Sequence, residues 1–405
     1  MIQHNLQHTA RDEHIGVVLL TSSLERGGAE RQVVELANGL DDSRFRVTVC
    51  SLSNENPLAA DLRDTNERFV VLPKTRKFDL ALIARTARLL ASLKTAVVHS
   101  FMFDAEIVGR LAGRLARVPA VICSNRCPHL GRARFKRWVA RFTEPCFDVM
   151  IANSWAGFEY ERDHQRVDAA KLCVIPNGVD TEVFHPGEAI ELRREFDIPP
   201  AAPVIGMFAH FRGNKDHATL IEAAAMVLKK HHDARFLLVG GSDGDHENSL
   251  HGKTRAAVSR LDIADRVIFA GARSDIPELC RLIDIKVLST HFEGTPNVVL
   301  EAMASGRPVI ASNVSDNARL IIDGRTGFVV PPRDASAMAD RIARLIADPA
   351  LRRDMGAAGR LRAEEEYSVE ALSRRTSDVY LSVLRQKGCF DARSPMLAAA
   401  RSEAG

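Results

Sequence analysis

The chain of 405 residues has no run of about 18 uninterrupted apolar residues, so the sequence offers no membrane-spanning helix. Its opening stretch, MIQHNLQHTARDEH, lacks the apolar core of a signal peptide. Cysteine is scarce: seven, an odd number without regular spacing, which excludes a disulfide scaffold and fits a reducing compartment. The closest pair, Cys123 and Cys127 in CSNRC, matches no zinc or redox spacing and reads as two ordinary thiols. A net charge of +3 is too small to argue for a nucleic-acid partner. What is present is 46% apolar and 26% charged residues, the balance of a soluble globular chain that buries a full core. Disordered, collagen-like and coiled-coil chains are excluded. At roughly 100–200 residues per domain, the length predicts two or three domains.

The charge is unevenly spread. From 101 to 141 there are nine Lys/Arg residues against Asp104 and Glu106, a local charge of +7, which leaves −4 for the remainder. Within that segment GRARFKRWVARF (131–142) has helical periodicity, with Phe135, Trp138, Val139 and Phe142 at i, i+3, i+4, i+7. Arg132, Arg134, Lys136, Arg137 and Arg141 occupy much of the rest. Two readings stand: a surface helix whose aromatics pack into the domain core, or a basic amphipathic helix lying on an anionic membrane surface.

Short β-branched runs alternate with helical patterns throughout, which predicts an α/β fold with parallel sheets. In the first half the strand candidates are 15–20, 46–52, 70–72, 96–100, 120–124, 149–153 and 173–176. In the second they are 203–209, 235–240, 266–271, 285–289, 308–312 and 327–330. PNGVDTEVFHPGE (176–188) carries the Pro, Gly and turn residues of a linker. The expected organisation is two facing Rossmann-like domains, 1–187 and 188–405, the second ending in long amphipathic helices and a frayed tail, 391–405.

Three motifs carry chemistry. LERGGAERQ (24–32) follows the first strand and opens a helix. Gly27 and Gly28 allow close backbone approach, and the helix start suits an anion or hydroxyl. The spacing is not G-x-G-x-x-G, so a dinucleotide fingerprint is unsupported. In GMFAHFRGNKDHATLIEA (206–223), Arg212 and Lys215 sit at the carboxyl end of a strand, where open α/β sheets bind ligands. Two cations there suit a diphosphate, Arg as a fork and Lys as a point charge. In STHFEGTPNVVLEAMASGRPVIAS (289–312), Glu293 and Glu301 are eight positions apart around a Gly-x-Pro turn. The helix opening at Asn297 is predicted to point its N–H groups at the same cleft. Glu301, one turn in, is placed for paired sugar hydroxyls, which carboxylates bind well.

With these motifs on the page, the chain resembles the retaining nucleotide-sugar glycosyltransferases of family 4 (group 1), whose GT-B fold has two facing Rossmann-like domains around a cleft. The resemblance covers about 15–385 and is carried by GGAE (27–30), IANS (151–154), VIPNGVD (174–180), the Arg/Lys loop, GARSDIPEL (271–279), the Glu-x7-Glu segment and DGRTGFVVPP (323–332). It implies that Arg212 and Lys215 hold the donor diphosphate and that Glu301 binds the ribose. It implies that Glu293 and the backbone of Gly294, Thr295, Asn297 and Val298 contact the transferred sugar and β-phosphate. Gly271 and Arg273 would lie beside the nucleobase, and Gly28 would approach the phosphate or acceptor. Members generally need no metal; no Asp-x-Asp motif is evident, and SDGDHE (242–247) reads as a solvated loop.

Two positions depart from the pattern. Many members have Arg five residues before the loop Lys, where this chain has His210, and Arg212 is the arrangement seen in part of the family. Many carry a His after the strand matching AVICS, where this chain has Ser124, Asn125 and Arg126. His99 is then either a substitute on the acceptor side or a packed strand-end histidine. With no carboxylate evident as nucleophile, the inventory favours front-face displacement with retention. The expected reaction moves a hexose-type sugar from a UDP- or GDP-sugar to a glycan or lipid-linked acceptor. Alternatives on the same fold are a nucleotide-sugar epimerase and an inactive sugar-nucleotide-binding subunit. The expected location is cytoplasmic, with peripheral attachment to the inner face of the membrane through 131–142.

Overall fold

The computed structural model describes residues 14–76, 79–125, 134–242 and 249–389. The expectations for Arg126, Cys127, loop 243–248 and tail 391–405 lie outside those residues. The described chain forms two units, each built on one parallel sheet.

In the first unit the strands are β1 (Ile15–Thr21), β2 (Phe45–Ser51), β3 (Phe69–Val71), β4 (Val97–Phe101), β5 (Ala120–Asn125), β6 (Val149–Ala152) and β7 (Leu172–Val174). They lie in the order β3-β2-β1-β4-β5-β6-β7, every pair parallel. Both faces are covered, as an all-parallel sheet requires. Val17, Leu19 and Val97 face one apolar layer, while Val18, Leu20 and Val98 face the other. The strands therefore read as continuous apolar runs, because residues of both parities are buried.

The second unit contains β8 (Val204–Phe208), β9 (Arg235–Val239), β10 (Val267–Gly271), β11 (Ile285–Leu288), β12 (Val309–Ser312) and β13 (Gly327–Val330). Their order is β10-β9-β8-β11-β12-β13, again all parallel. All thirteen strand candidates are found, and each sheet reverses its winding once, between β1 and β4 and between β8 and β11. The carboxyl ends of those strand pairs are the topological switch points where doubly wound sheets bind ligands.

Two expectations about organisation differ from the structure. The boundary expected at 187/188 falls earlier, since the second unit holds Pro176–Ala371 together with Asn153–Gly157. The stretch 176–188 is no loose linker: Val179 N–H donates to the Tyr367 carbonyl at 2.8 Å, and Val369 N–H donates to the Val179 carbonyl at 3.1 Å. The C-terminal helices also divide. Helices Ala335–Ala347 and Pro349–Glu366 belong to the second unit, but from Leu372 the last helix, Val369–Gln386, belongs to the first. Its Leu372, Tyr380, Leu381, Val383 and Leu384 pack on Val17, Val97 and Ile122. The apolar stripe of an amphipathic helix fits either sheet, so sequence patterning does not choose between them.

Candidate functional site

The loops at the second switch point are laced together. After β8 the chain turns tightly, with Arg212 N–H donating to the His210 carbonyl at 2.8 Å and Lys215 N–H to the Arg212 carbonyl at 2.9 Å. After β11, the Thr290 hydroxyl donates to the Asn214 carbonyl at 2.8 Å, and His291 N–H donates to that same carbonyl at 2.8 Å. Asp216 N–H bonds the Ser289 carbonyl at 3.0 Å. This brings two of the expected charges into contact: the Lys215 ammonium pairs with the Glu293 carboxylate. Glu293 is further held by Thr290 Oγ1 at 3.0 Å and, through its own N–H, by Ser315 Oγ at 3.0 Å. Arg212 stands exposed in the same loop, as does His210. The next helix, His217–Leu228, is capped by Asp216, which accepts from Thr219 N–H at 3.2 Å and Thr219 Oγ1 at 2.6 Å. Burial pulls the neighbouring His217 imidazole down to about 4, so it is neutral at neutral pH.

The helix Asn297–Ala304 begins as expected just after Pro296 and has no side-chain cap at its start. Its approach is fixed by Asn153 and Asn177, which lie in two motifs that carry the family resemblance, and a further tether comes from Asp316, which lies in none. Asn177 Nδ2 donates to the Thr295 carbonyl at 2.8 Å and to Asn297 Oδ1 at 2.6 Å. Thr295 Oγ1 donates to the Asn153 carbonyl. Asp316 accepts from the N–H groups of Trp155 and Ala156 at 2.6 and 3.0 Å. Gly294, Thr295, Asn153 and Asn177 are buried, so these bonds are shielded from competing water. Val298 follows in the first turn and Glu301 in the second.

At the far strand, β10 ends in Gly271, whose φ of +68° is left-handed and favours glycine, although a Cβ there would meet nothing. Its carbonyl accepts from Gly240 N–H at 2.8 Å, so the ends of β9 and β10 stay joined. Arg273 is only partly available to a base. Its guanidinium donates to Asp275 at 2.8 and 2.6 Å and to Glu195 at 2.6 Å. The side chain is thus a clamp onto helix Ile190–Glu195.

In the first unit the corresponding strand ends are chemically quieter. Gly27 caps helix Gly28–Gly39 with extended backbone. Beside it burial raises the Glu30 carboxyl above its usual range. Met102, directly after β4, has φ +68° and ψ 153°, a region that a residue with a Cβ rarely occupies and that marks local strain at a switch point. Periodicity carries no trace of it. Asn125, at the end of β5, is buried and donates to Glu161.

His99 corrects an expectation. Its side chain is fully buried, with Nδ1 2.6 Å from the Tyr380 hydroxyl and Nε2 2.7 Å from Ser124 Oγ. The register of β4 turns residue 99 under the last helix, so of the two readings His99 takes that of a packed strand-end histidine.

The exposure of helix Arg134–Phe142 excludes one of the two readings left open for it, that of aromatics packed into the core. Phe135, Trp138 and Phe142 are 56, 62 and 74% exposed and stack along one face, with ring centroids 6.4 and 5.5 Å apart. They do not pack into the core. The inward side is Val139, Ala140 and the following Thr143. Arg110, buried at 2% exposure, anchors that end by donating to the Ala140 carbonyl at 3.1 Å and Thr143 Oγ1 at 3.2 Å. Its own charge is met by Glu106 at 3.2 Å.

Comparison with known proteins agrees with this arrangement. The family model for glycosyl transferases group 1 matches residues 188–362, and that for glycosyltransferase family 4 matches 26–183. The Escherichia coli UDP-Gal:alpha-D-GlcNAc-diphosphoundecaprenol alpha-1,3-galactosyltransferase is 27% identical over 84% of this chain and 88% of its own. The Rhizobium leguminosarum lipopolysaccharide core biosynthesis mannosyltransferase LpcC is 29% identical over 71% of this chain and 78% of its own. Among solved structures, Anabaena HepE in complex with UDP superposes with a TM-score of 0.80 at 21% identity, covering 91% of this chain and all of that one. WaaG, a glycosyltransferase involved in lipopolysaccharide biosynthesis, gives 0.68 at 17% identity over 90% of this chain and 99% of its own. With two Rossmann-like sheets, a laced cationic loop at the second switch point and both family models in register, the chain belongs to the family 4 (group 1) glycosyltransferases and has the GT-B fold.

Proposed function

We propose that this glycosyltransferase moves a hexose-type sugar, with retention of configuration, from a UDP- or GDP-sugar to a glycan or lipid-linked acceptor in bacterial surface polysaccharide synthesis. The observation that carries the donor side is the laced pair of loops after β8 and β11, which fixes Lys215 and Glu293 against each other beside Arg212. In this reading Arg212 and Lys215 take the diphosphate and need no metal ion to balance it. Glu301 binds the ribose hydroxyls. Glu293 keeps the ammonium in place and meets the transferred sugar. The acceptor hydroxyl oxygen bonds to the anomeric carbon as the bond to the diphosphate breaks, and its proton passes to the departing diphosphate oxygen. Positioning and leaving-group stabilisation then supply most of the rate. On the acceptor side, Gly27, Gly28, Asn125 and Arg126 remain the proposed contacts.

The names of the relatives support the acceptor class: one acts on a diphosphoundecaprenol-linked sugar and another in lipopolysaccharide core synthesis. Helix Arg134–Phe142 supports it independently. An exposed row of Phe, Trp and Phe beside Lys136, Arg137 and Arg141 matches an anionic lipid surface in both polarity and charge. We assign that face to the cytoplasmic leaflet, where a lipid-linked acceptor resides. No nucleic acid is involved.

The test is transfer from UDP-glucose, UDP-galactose and GDP-mannose onto polyprenyl-diphosphate-linked sugar acceptors, with the product's anomeric configuration read by NMR. An α-linked product from an α-linked donor is expected; an inverted product overturns the retaining mechanism. Donor rearrangement without acceptor would favour the epimerase. In flotation with anionic liposomes, the wild type should float and the double variant Trp138→Glu, Arg137→Glu should not. Equal flotation removes the helix as the membrane contact.

A further inference from the structure

A third loop at the second switch point carries a strained serine. β12 runs parallel to β11, so the loops that leave them emerge side by side on one edge of the sheet. Residues 313–317, NVSDN, follow β12. Ser315 has φ +48°, in the left-handed region where a residue with a Cβ is uncommon and glycine is the ordinary choice. Such a backbone persists only where its surroundings over-determine it. Here they do. Val314 N–H donates to the Ser312 carbonyl at 2.8 Å, and the buried Asn317 donates from Nδ2 to the same carbonyl at 2.9 Å. The Asp316 carboxylate is tied to the N–H groups of Trp155 and Ala156. The chain is pinned on both sides of Ser315, so its hydroxyl has a fixed origin.

That hydroxyl accepts from Glu293 N–H at 3.0 Å. A glycine would suit the backbone better but could not accept this bond. Nearer the strand, Ser312 Oγ accepts from Thr290 N–H at 3.3 Å. The segment from Thr290 to Glu293 is therefore gripped from two directions. The loop after β8 holds it through the Asn214 carbonyl and Lys215, and the loop after β12 holds it through Ser312 and Ser315. Lys215 and Thr290 hold the Glu293 carboxylate, while Ser315 holds its main chain.

We propose that Ser315 is a positioning residue for Glu293: its hydroxyl, presented by a strained and pinned loop, fixes the main chain at Glu293 so that the carboxylate stays on Lys215 and faces the transferred sugar. This rests on the reading of Glu293 as a donor-site residue. Ser315 itself takes no part in bond making or breaking.

Three substitutions separate the backbone from the hydroxyl. Ser315→Gly relieves the left-handed strain and removes the acceptor. Ser315→Ala removes the acceptor and keeps the strain. Ser315→Asn tolerates the left-handed backbone and restores an acceptor through its amide carbonyl. The first measurement needs no ligand: hydrogen exchange at the Glu293 amide of the full chain. Exchange should quicken on the order of tenfold in the Gly and Ala variants and return toward wild type in Ser315→Asn. Equal exchange in all four proteins overturns the proposal. The second is steady-state transfer from UDP-glucose, UDP-galactose and GDP-mannose to a polyprenyl-diphosphate-linked sugar. In both the Gly and the Ala variant kcat should fall on the order of tenfold with the donor KM within about twofold of wild type, and kcat should recover in Ser315→Asn. Ser315→Ala should nevertheless melt below Ser315→Gly, since alanine bears the strain and glycine does not. A serine with a purely structural role would make activity follow melting temperature, so wild-type kcat in Ser315→Gly overturns the proposal. Glu293→Gln tests the underlying reading separately. If it turns over normally, the donor-site reading of Glu293 falls, while the exchange rates still decide whether Ser315 fixes the loop.

Discussion

The two sheets share the strand order 3-2-1-4-5-6 counted within each unit, the first adding a seventh strand at its edge, yet their switch points carry different chemistry. At the end of β8 and β11 stand Arg212, Lys215, Glu293 and Glu301, with an ion pair and a chain of backbone bonds lacing the loops. At β1 and β4 there are glycines, a strained methionine and a histidine sealed under a helix. The same scaffold thus carries two sets of end loops, and the difference lies in a few residues. One switch point holds paired charges, which the proposed function gives to the diphosphate. The other presents mainly backbone and small residues, which the proposed function gives to the acceptor.

The largest effect should come from the charged side. On the proposed function, Lys215→Ala removes a cation that stabilises the leaving diphosphate, by analogy with an oxyanion-hole donor worth ~2.7–4 kcal/mol. Turnover should fall on the order of 100-fold while the unfolding midpoint barely moves, because the ammonium is partly exposed and its loss leaves no cavity in the core. Near-normal turnover would erase the contrast between the two switch points.

Next in size is the buried charge of the same sheet. Burial brings the Lys286 ammonium from 10.5 down to about 7. The unfolded chain keeps that proton up to about pH 10.5, whereas the folded chain releases it near 7. Between those values the unfolded state binds more protons, so stability rises with pH, by about 1.4 kcal/mol per unit. Lys286→Met lacks this slope. It should be more stable than wild type at pH 6, and the gap should close steadily from pH 7 to 9 in thermal melts. Parallel pH profiles would show that the lysine is not buried as a charge.

Lys286 also marks where sequence reading stopped. The strands were legible because parallel sheets bury both faces and so produce unbroken apolar runs of strand length. The charged loops were legible because Arg, Lys and paired Glu at strand ends have few structural reasons to be there. A single lysine inside such a run reads only as an interruption, since burial depth leaves no mark in composition. The tethering role of Asn153, Asn177 and Asp316 was equally silent, because Asn and Asp are also the ordinary residues of turns. Periodicity marked one face of helix Arg134–Phe142 as aromatic without saying whether that face met the core or water. The last helix likewise showed its stripe without showing which sheet it covers.

The smallest effect tests the quiet side. In Tyr380→Phe the ring and its packing on Phe45 survive, but His99 Nδ1 loses the hydroxyl 2.6 Å away inside the core. Leaving a buried polar atom unsatisfied costs about 1–3 kcal/mol, so the melting temperature should drop by a few degrees. Affinity for a nucleotide sugar should not change, because the histidine is a structural plug in the first sheet and the residues proposed to hold the donor stand on the second. A variant that melted normally yet bound donor poorly would reverse both assignments. His99 would then belong to the chemistry, and the division of labour between two sheets of one topology would have to be redrawn.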